Sequence, residues 1–223
     1  MSCMSGVSGQ RHRAFVRIAE RLALRENSPE LQSGDRTRAS VAMILSRAAN
    51  DFEILFIQRA AHELDPWSGH IAFPGGKLEE GELECQAALR ETFEEIGIDL
   101  QQALYLGRLP DIIGANLPVR VSCCVFGVDR RRCRPVLNEE VRDLFWVKLS
   151  DLRDPVQHRW SSVAFDEKRF KVPAIRLPVA DKPLLWGITY RLVMQFLTVL
   201  GGESASGEGF YRLPEMVELD EED

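Results

Sequence analysis

The chain has 223 residues and a mass of 25.3 kDa, which is enough for one sizeable domain and short for two. Hydrophobic residues make up 45% and charged residues 28%, which excludes wholesale disorder, and no apolar run approaches the roughly 20 residues of a membrane span. The net charge of −6 argues against a nucleic-acid-binding surface, and it comes from residues 215–223, which carry six acids and no base.

The first predicted element is a helix over residues 11–26. Its apolar residues recur at helical spacing: Phe15, Ile18, Ala19 and Leu22. A helix packed on the domain and an Arg-rich transit peptide both fit this segment. Glu20 and Glu26 interrupt its basic character and favour the packed helix. Residues 27–38 are predicted to form a loop.

The rest of the chain is predicted to alternate strands with helices, which indicates an α/β fold with a mixed sheet and helices on its faces. Strands are predicted at residues 39–46, 53–58, 70–73, 104–109, 119–128 and 144–147. Helices are predicted at residues 84–96 and 184–200. We expect three regions: an N-terminal helix and loop (1–37), the main domain (38–200), and a flexible linker with an acidic tail (201–223).

The cysteines predict a reducing environment. They are five in number, and no Cys-x-x-Cys pair occurs. Cys123 and Cys124 lie in an apolar run, which favours reduced, buried thiols over a disulfide framework or a zinc site. We therefore expect a cytoplasmic protein.

The most informative segment joins the third predicted strand to the helix at residues 84–96. Pro74-Gly75-Gly76 ends the strand and lets the backbone approach another group closely. Gly97 favours the end of the helix. On a helical wheel, four residues form an apolar side: Cys85, Leu89, Phe93 and Ile96.

Three glutamates cluster on the other side of this helix. Glu91, Glu94 and Glu95 repel one another at i, i+3 and i+4, and Arg90 compensates only part of that charge. A solvated acidic face is one interpretation. A site for a hard divalent cation is favoured, because clustered carboxylate oxygens suit Mg²⁺ or Mn²⁺.

This segment resembles the Nudix box, G-x5-E-x7-R-E-U-x-E-E-x-G-U with U apolar. The match runs from Gly76 to Ile98 and departs only at Thr92, where U is usually bulky and aliphatic. The resemblance implies a Nudix-type α/β/α sandwich that hydrolyses the diphosphate of a nucleoside diphosphate linked to another moiety. In such chemistry divalent metals neutralise the diphosphate oxygens and activate a water, whose proton a carboxylate takes.

The resemblance also implies roles for individual residues. Mg²⁺ or Mn²⁺ ligands are implied at these positions: Glu91, Glu94, Glu95 and the carbonyl of Gly75. Arg90 would orient the glutamates, and Glu82 would support the loop. Glu140, in a segment similar to the family's "EV…W" stretch, would either complete the catalytic site or remain a solvated loop acid. Which glutamate acts as the base stays open.

The residues before the box resemble the extension of the coenzyme A pyrophosphatase branch, LLTxRSxxLRxHxGxVxFPGG. Shared features are Arg59, Leu64, Gly69, Ile71 and Phe73 to Gly76; departures are Asp65, Trp67 and a one-residue shift of Arg59. Leu185 to Thr189 also resembles the branch's "WG-x-T" stretch. The resemblance implies cleavage of coenzyme A or acyl-CoA to adenosine 3′,5′-bisphosphate and 4′-phosphopantetheine.

Substrate contacts are implied for Arg59, Trp67 and Phe73. Trp67 and Trp186 could stack on adenine or simply pack. A 3′-phosphate needs cationic partners, for which the candidates are Arg59, Arg120 and Arg130 to Arg132. An exposed turn at a strand end is the favoured interpretation of the last three.

Other functions stay open. An ADP-ribose or nucleotide-sugar pyrophosphatase shares the metal chemistry without a 3′-phosphate site, and a nucleoside triphosphate sanitising enzyme comes third. A catalytically silent nucleotide-binding module is disfavoured by the complete set of glutamates with Arg90. The expected partner is a small-molecule nucleotide, without nucleic acid or membrane, and a homodimer is compatible with the resemblance.

Overall fold

The computed structural model describes residues 9–24, 36–62, 67–114, 118–165, 168–201 and 217–218. Its helices are α1 (Gly9–Ala23), α2 (Glu84–Ile96), α3 (Leu149–Arg153) and α4 (Gly187–Gly201). Its strands are β1 (Thr37–Ala48), β2 (Asp51–Arg59), β3 (Ile71–Ala72), β4 (Gly75–Lys77), β5 (Leu104–Ile113), β6 (Val119–Val128), β7 (Val141–Lys148), β8 (His158–Phe165), β9 (Lys168–Ile175) and β10 (Val217–Glu218).

Seven strands form one mixed sheet in the order β3-β2-β1-β6-β5, with β4 also paired to β1 and β7 to β2. Strands β1 and β6 are parallel, from Thr37 opposite Val119 to Ser46 opposite Val128. The remaining pairs described in this sheet are antiparallel. Strand β6 is buried on both faces, which accounts for its nearly continuous apolar sequence. The mixed sheet with its helices confirms the predicted α/β fold class.

Helices cover both faces of this sheet. Helix α2 packs on one face through Ala88 and Ile96, which join the cluster around Ala42 and Cys124. Helices α1 and α4 cover the other face, where the buried residues of α1 are Phe15, Ile18 and Leu22. The α1 segment is therefore packed on the domain. This is the interpretation that Glu20 and Glu26 favoured over a transit peptide.

The end of α4 is tied to α1. The Arg21 guanidinium donates hydrogen bonds to the backbone carbonyls of Val199 and Leu200. The last carbonyls of a helix lack partners within the helix and carry partial negative charge, so a cation there is stabilising.

Helix α2 has the predicted bounds, and Gly97 ends it with φ of 66° and an N–H bonded to the Phe93 carbonyl at 2.9 Å. The predicted apolar side is wrong at Phe93, which is 59% exposed. The helix faces the sheet through Ala88, Thr92 and Glu95 instead. Phe93 follows Thr92 by one residue, a rotation of about 100°, and therefore points toward solvent.

The hairpin of β8 and β9 is the largest element that the sequence analysis left out. The two strands pair from His158 opposite Ile175 to Phe165 opposite Lys168, and β10 adds to β9. The signal was present as alternation, since Phe170, Val172 and Ala174 are buried at every second position.

Some predictions lie outside the described residues. They include Leu64 and Asp65 in the upstream extension, most of the loop at 27–38, and the linker and acidic tail except residues 201 and 217–218. Within the described part of the chain, no helix has the length and apolar character needed to cross a membrane.

Candidate active site

Two glycines bring α2 close to the sheet. Gly75 and Gly76 lie in β4, opposite Val41 and Ser40 of β1. A Cβ on Gly75 would meet the Ser40 carbonyl oxygen at 2.3 Å, and a Cβ on Gly76 would lie 2.4 Å from the Glu91 carboxylate. Gly75 therefore excludes a side chain, because backbone atoms of β1 occupy its place. Gly76 lets the Glu91 carboxylate lie directly against the strand, and a side chain there would displace that carboxylate.

The Arg90 guanidinium joins the loop before α2 to the helix glutamates. Its Nε and Nη2 donate to the two oxygens of Glu82 at 2.9 and 3.0 Å, and Nη2 also donates to the Lys77 carbonyl at 3.1 Å. Its Nη1 donates to Glu91 at 2.9 Å and to Glu94 at 3.1 Å. The bonds from Arg90 hold the pKa of Glu82 below its usual range. Arg90 therefore connects Glu82 and the loop to two of the helix glutamates, and the roles assigned to Arg90 and Glu82 stay predictions.

Glu95 is the most buried of the helix glutamates, with 3% of its surface exposed. Its Oε2 accepts a hydrogen bond from the Gly75 N–H at 2.9 Å, and its Oε1 lies 4.0 Å from Arg59 Nη1. Burial outweighs both contacts and raises the pKa of Glu95 to about 8. An additional cation is therefore needed to keep Glu95 in its charged form at neutral pH.

Glu140 lies within electrostatic range of the helix carboxylates. Burial is the main cause that raises the pKa of Glu91, and the charges of Glu94 and Glu140 add to it while Arg90 opposes it. The charge of Glu140 also contributes to the raised pKa of Glu95. The backbone of Glu140 is fixed, because its carbonyl accepts from the Ala60 N–H at 2.8 Å. The role of Glu140 in the site stays a prediction.

The donor set fits a hard divalent cation. Among the described residues, no three acidic, histidine or cysteine side chains are grouped closely enough to hold an ion as they stand. Arg90 instead bridges Glu91 and Glu94. The available donors are carboxylate and carbonyl oxygens, which Mg²⁺ and Mn²⁺ prefer, and the buried Glu95 gains its charged form when a cation is near.

The residues predicted to contact substrate have different surroundings. Arg59 ends β2 beside Glu95, and Trp67 is half-buried in the turn before β3. Phe73 is only 2% exposed, and its ring stacks on Phe56 with centroids 5.0 Å apart. The predicted substrate contact of Phe73 is therefore wrong, because the chain after β3 turns this side chain into the core beneath α1 and α4.

The other candidate phosphate ligands take part in ion pairs of the fold. Arg120 is 9% exposed and donates to Asp111 at 2.6 Å. Arg130 pairs with Glu53. Residues 130–132 form a short 3₁₀ turn directly after β6, in agreement with the interpretation of an exposed strand end.

A disulfide joins α2 to the sheet. It links Cys85, in the first turn of α2, to Cys124 in β6, with Cα atoms 5.8 Å apart. The prediction of a reduced thiol is therefore wrong for Cys124. The cysteines then no longer support a reducing compartment. Cys123 and Cys133 are free thiols, and Cys123 is fully buried. The linked cysteines are 39 residues apart in sequence, so only the packing of α2 on β6 shows that they meet.

Comparison with known proteins gives the family. The NUDIX domain family matches residues 36–167, more than half of the chain. "Nudix hydrolase 3" of Caenorhabditis elegans is 26% identical over 187 residues, covering 77% of this chain and 78% of the relative. A probable nudix hydrolase of Schizosaccharomyces pombe is 27% identical over 179 residues, covering 78% of this chain and 61% of the relative.

A relative with a named substrate and a solved structure complete the comparison. A "peroxisomal coenzyme A diphosphatase" of Caenorhabditis elegans is 26% identical over 142 residues, covering 62% of this chain and 59% of the relative. The crystal structure of a MutT/nudix family protein from Enterococcus faecalis superposes with a TM-score of 0.54 at 16% identity, covering 88% of this chain and 76% of that one, which supports the fold. The chain therefore belongs to the NUDIX domain family and is a pyrophosphohydrolase.

Proposed function

We propose that the chain hydrolyses the diphosphate of coenzyme A or an acyl-CoA, with Mg²⁺ or Mn²⁺, to adenosine 3′,5′-bisphosphate and 4′-phosphopantetheine. The observation that carries the metal-dependent chemistry is Glu95, a buried carboxylate with a pKa raised to about 8, held by the Gly75 N–H among further glutamates. Such a group is costly unless a cation or a proton-transfer role uses it.

The proposal gives each residue a role. The metal ligands are Glu91, Glu94, Glu95 and the Gly75 carbonyl. A divalent metal held there would supply charge to neutralise diphosphate oxygens and to acidify a water. Arg90 keeps Glu91 and Glu94 oriented through its bonds to both and to the loop. Glu140 and the helix glutamates are the candidates for accepting the proton of the attacking water.

Two lines support coenzyme A as the substrate. The first is the upstream extension, two of whose residues fit this role. Arg59 lies next to Glu95, and Gly69, with φ of 73°, lies in the turn before β3. The second is the similarity to the coenzyme A diphosphatase of Caenorhabditis elegans. Trp186, in the segment similar to "WG-x-T", packs its ring on His70 with centroids 4.8 Å apart, which joins the two resembling segments in space.

One observation favours the second candidate, an ADP-ribose or nucleotide-sugar pyrophosphatase. Arg120 and Arg130 are already ion-paired with Asp111 and Glu53. A 3′-phosphate site built from them would have to break those pairs. ADP-ribose and nucleotide sugars carry no 3′-phosphate and require no such site.

A substrate panel tests the proposal. Purified protein with Mg²⁺ or Mn²⁺ is incubated with coenzyme A, acetyl-CoA, dephospho-CoA, ADP-ribose and a nucleotide sugar, and the products are resolved by chromatography. Faster cleavage of coenzyme A than of dephospho-CoA is the expected result, because it requires recognition of the 3′-phosphate. Preference for ADP-ribose or a nucleotide sugar would establish the second candidate and leave the metal chemistry in place.

The Glu95→Gln variant is the control for the chemistry. It keeps the shape of the side chain and removes the carboxylate, so turnover of every substrate should be lost. Full activity of this variant, or of Glu94→Gln, would contradict the metal-site assignment.

A further inference from the structure

A groove of about 560 Å³ lies beside the predicted catalytic site, within the range of small-molecule sites. Its lining comes from the end of β2, the turn before β3, strand β8 and the loop before α4. The lining includes Gln58, His70, Val163, Lys182, Leu184 and Trp186. None of the metal-ligand candidates lines it, so the groove is a separate feature of the described residues.

The groove and the carboxylate site meet at two consecutive residues of β2. Gln58 lines it, whereas the next residue, Arg59, reaches Glu95 with its guanidinium at 4.0 Å. The register of β2 against β7 shifts between Gln58 and Arg59, so the regular alternation of side chains is interrupted at this point. The Arg59 N–H also donates to the His70 carbonyl at 3.0 Å, which fixes the groove wall relative to Arg59. A long substrate that passes the end of β2 therefore reaches both places.

The lysine that lines the groove is already ion-paired. Of the described residues that line it, only Asp181 and Lys182 carry a full charge at neutral pH. The Lys182 ammonium is ion-paired with Asp143, donates to Gln58 Oε1 at 3.1 Å, and lies 5.1 Å from the centre of the Phe145 ring. A phosphate needs cationic donors that are not already neutralised. The groove therefore suits an uncharged group.

The lining of the groove combines polar and apolar surface. Trp186 and His70 form one wall through their ring contact, and Val163, Pro183 and Leu184 provide aliphatic surface. The polar side chains Gln58, Ser68 and Asp181 can pair with a small number of amide or hydroxyl groups, whereas a sugar buries many hydroxyl groups that each need a partner. A chain of aliphatic carbons with a few amides needs fewer partners and gains from contact with aromatic and aliphatic walls.

We propose that this groove binds the uncharged, amide-containing aliphatic arm that the substrate carries beyond its diphosphate, and that Trp186 determines the preference for this arm. The proposal rests on the proposed function, since it assigns the pantetheine arm of coenzyme A to a place on this chain. It makes Trp186 a specificity residue that contacts the arm and takes no part in the diphosphate chemistry.

The test compares Trp186→Ala with a matched control, Trp160→Ala. Trp160 lies on β8, is 50% exposed and is absent from the groove lining. Loss of a stacked aromatic wall should raise the KM of coenzyme A and dephospho-CoA by about tenfold more than the KM of ADP-ribose. The effect on KM should exceed the effect on kcat, and the control should behave as the wild type.

Equal increases for all three substrates would overturn the proposal, because the groove would then hold the shared ADP half. A wild-type enzyme that cleaves ADP-ribose but not coenzyme A would overturn it as well, while the diphosphate chemistry stands. If Trp186→Ala does not fold, Val163→Glu provides a second variant. It places a charge on the aliphatic wall and should produce the same selective rise in KM.

Binding of free pantetheine separates this proposal from the proposed function. Pantetheine has the arm without the diphosphate, so its binding requires neither metal nor catalysis. Calorimetry should detect pantetheine binding to the wild type and to Trp160→Ala, with affinity reduced by about tenfold in Trp186→Ala. Absence of binding to the wild type would refute the groove assignment even in an active enzyme. Binding by a protein that cleaves no diphosphate would refute only the proposed function.

Discussion

Replacing Cys85 with serine should destabilise the protein by removing the disulfide to Cys124. The two residues are 39 positions apart, so the bond closes a loop of that length in the unfolded chain. For a loop of about 40 residues, removing the cross-link raises the entropy of the unfolded chain enough to lower the free energy of unfolding by about 4 kcal/mol. Domains of this size are typically stable by about 5–15 kcal/mol, so the loss is a large share of the total.

Cys85 is the better position for this substitution because it is half-buried, whereas Cys124 is fully buried. Urea unfolding followed by circular dichroism measures the effect in the oxidised wild type, the reduced wild type and Cys85→Ser. The last two should have similar midpoints, well below that of the oxidised protein. Cys133→Ser removes a free thiol and is the control that should leave the midpoint in place.

A thiol count decides whether the bond exists in solution. Of the five cysteines, three should react with an alkylating reagent in the denatured, non-reduced protein. Five reactive thiols, or a midpoint that reductant does not move, would refute the reasoning.

The remaining predictions concern the carboxylate site. In the metal-free protein the pKa of Glu95 is raised from its ordinary 4.5 to about 8, so the folded chain binds more protons than the unfolded chain between these values. Stability should therefore fall as pH rises from 4.5 to 8, and thermal unfolding of Glu95→Gln should show a smaller fall, because Glu91, whose pKa is also raised, remains. Parallel curves for the two proteins would disprove the assignment. Gly76→Ala would place a Cβ 2.4 Å from the Glu91 carboxylate, so the Mg²⁺ concentration for half-maximal activity should rise while the circular dichroism spectrum is retained. Arg90→Lys keeps the charge but loses the paired bonds to Glu82, so kcat/KM should fall by about tenfold to a hundredfold. Wild-type kinetics would show that the paired bonds of the guanidinium are dispensable.

Local pattern was sufficient for the elements that carry the chemistry. Helix α2 and strand β6 have the predicted bounds, because helical spacing and an apolar run are visible within a dozen residues. The spacing of Glu91, Glu94 and Glu95 on that helix follows from the same local geometry. A close approach at Pro74-Gly75-Gly76 was predicted from the sequence, but the group that lies against Gly76, the Glu91 carboxylate, was not.

The tertiary structure decided which side of each element is buried. Phe93 looked like a core residue and is 59% exposed, whereas Phe73 looked like a substrate contact and is 2% exposed. Neither outcome follows from residue type, because both depend on how a helix or short strand is rotated against the sheet. The alternation in β8 and β9 was readable, but a single amphipathic hairpin does not show where it packs.

The sequence by itself determined the family, the α/β class and the carboxylate motif, since each is written in residues close along the chain. Only the tertiary structure joined Cys85 to Cys124, set Glu140 near Glu95, and placed His70 against Trp186. The physical reason is that such contacts form between residues tens of positions apart. Side-chain packing selects them, and local periodicity carries no information about that packing.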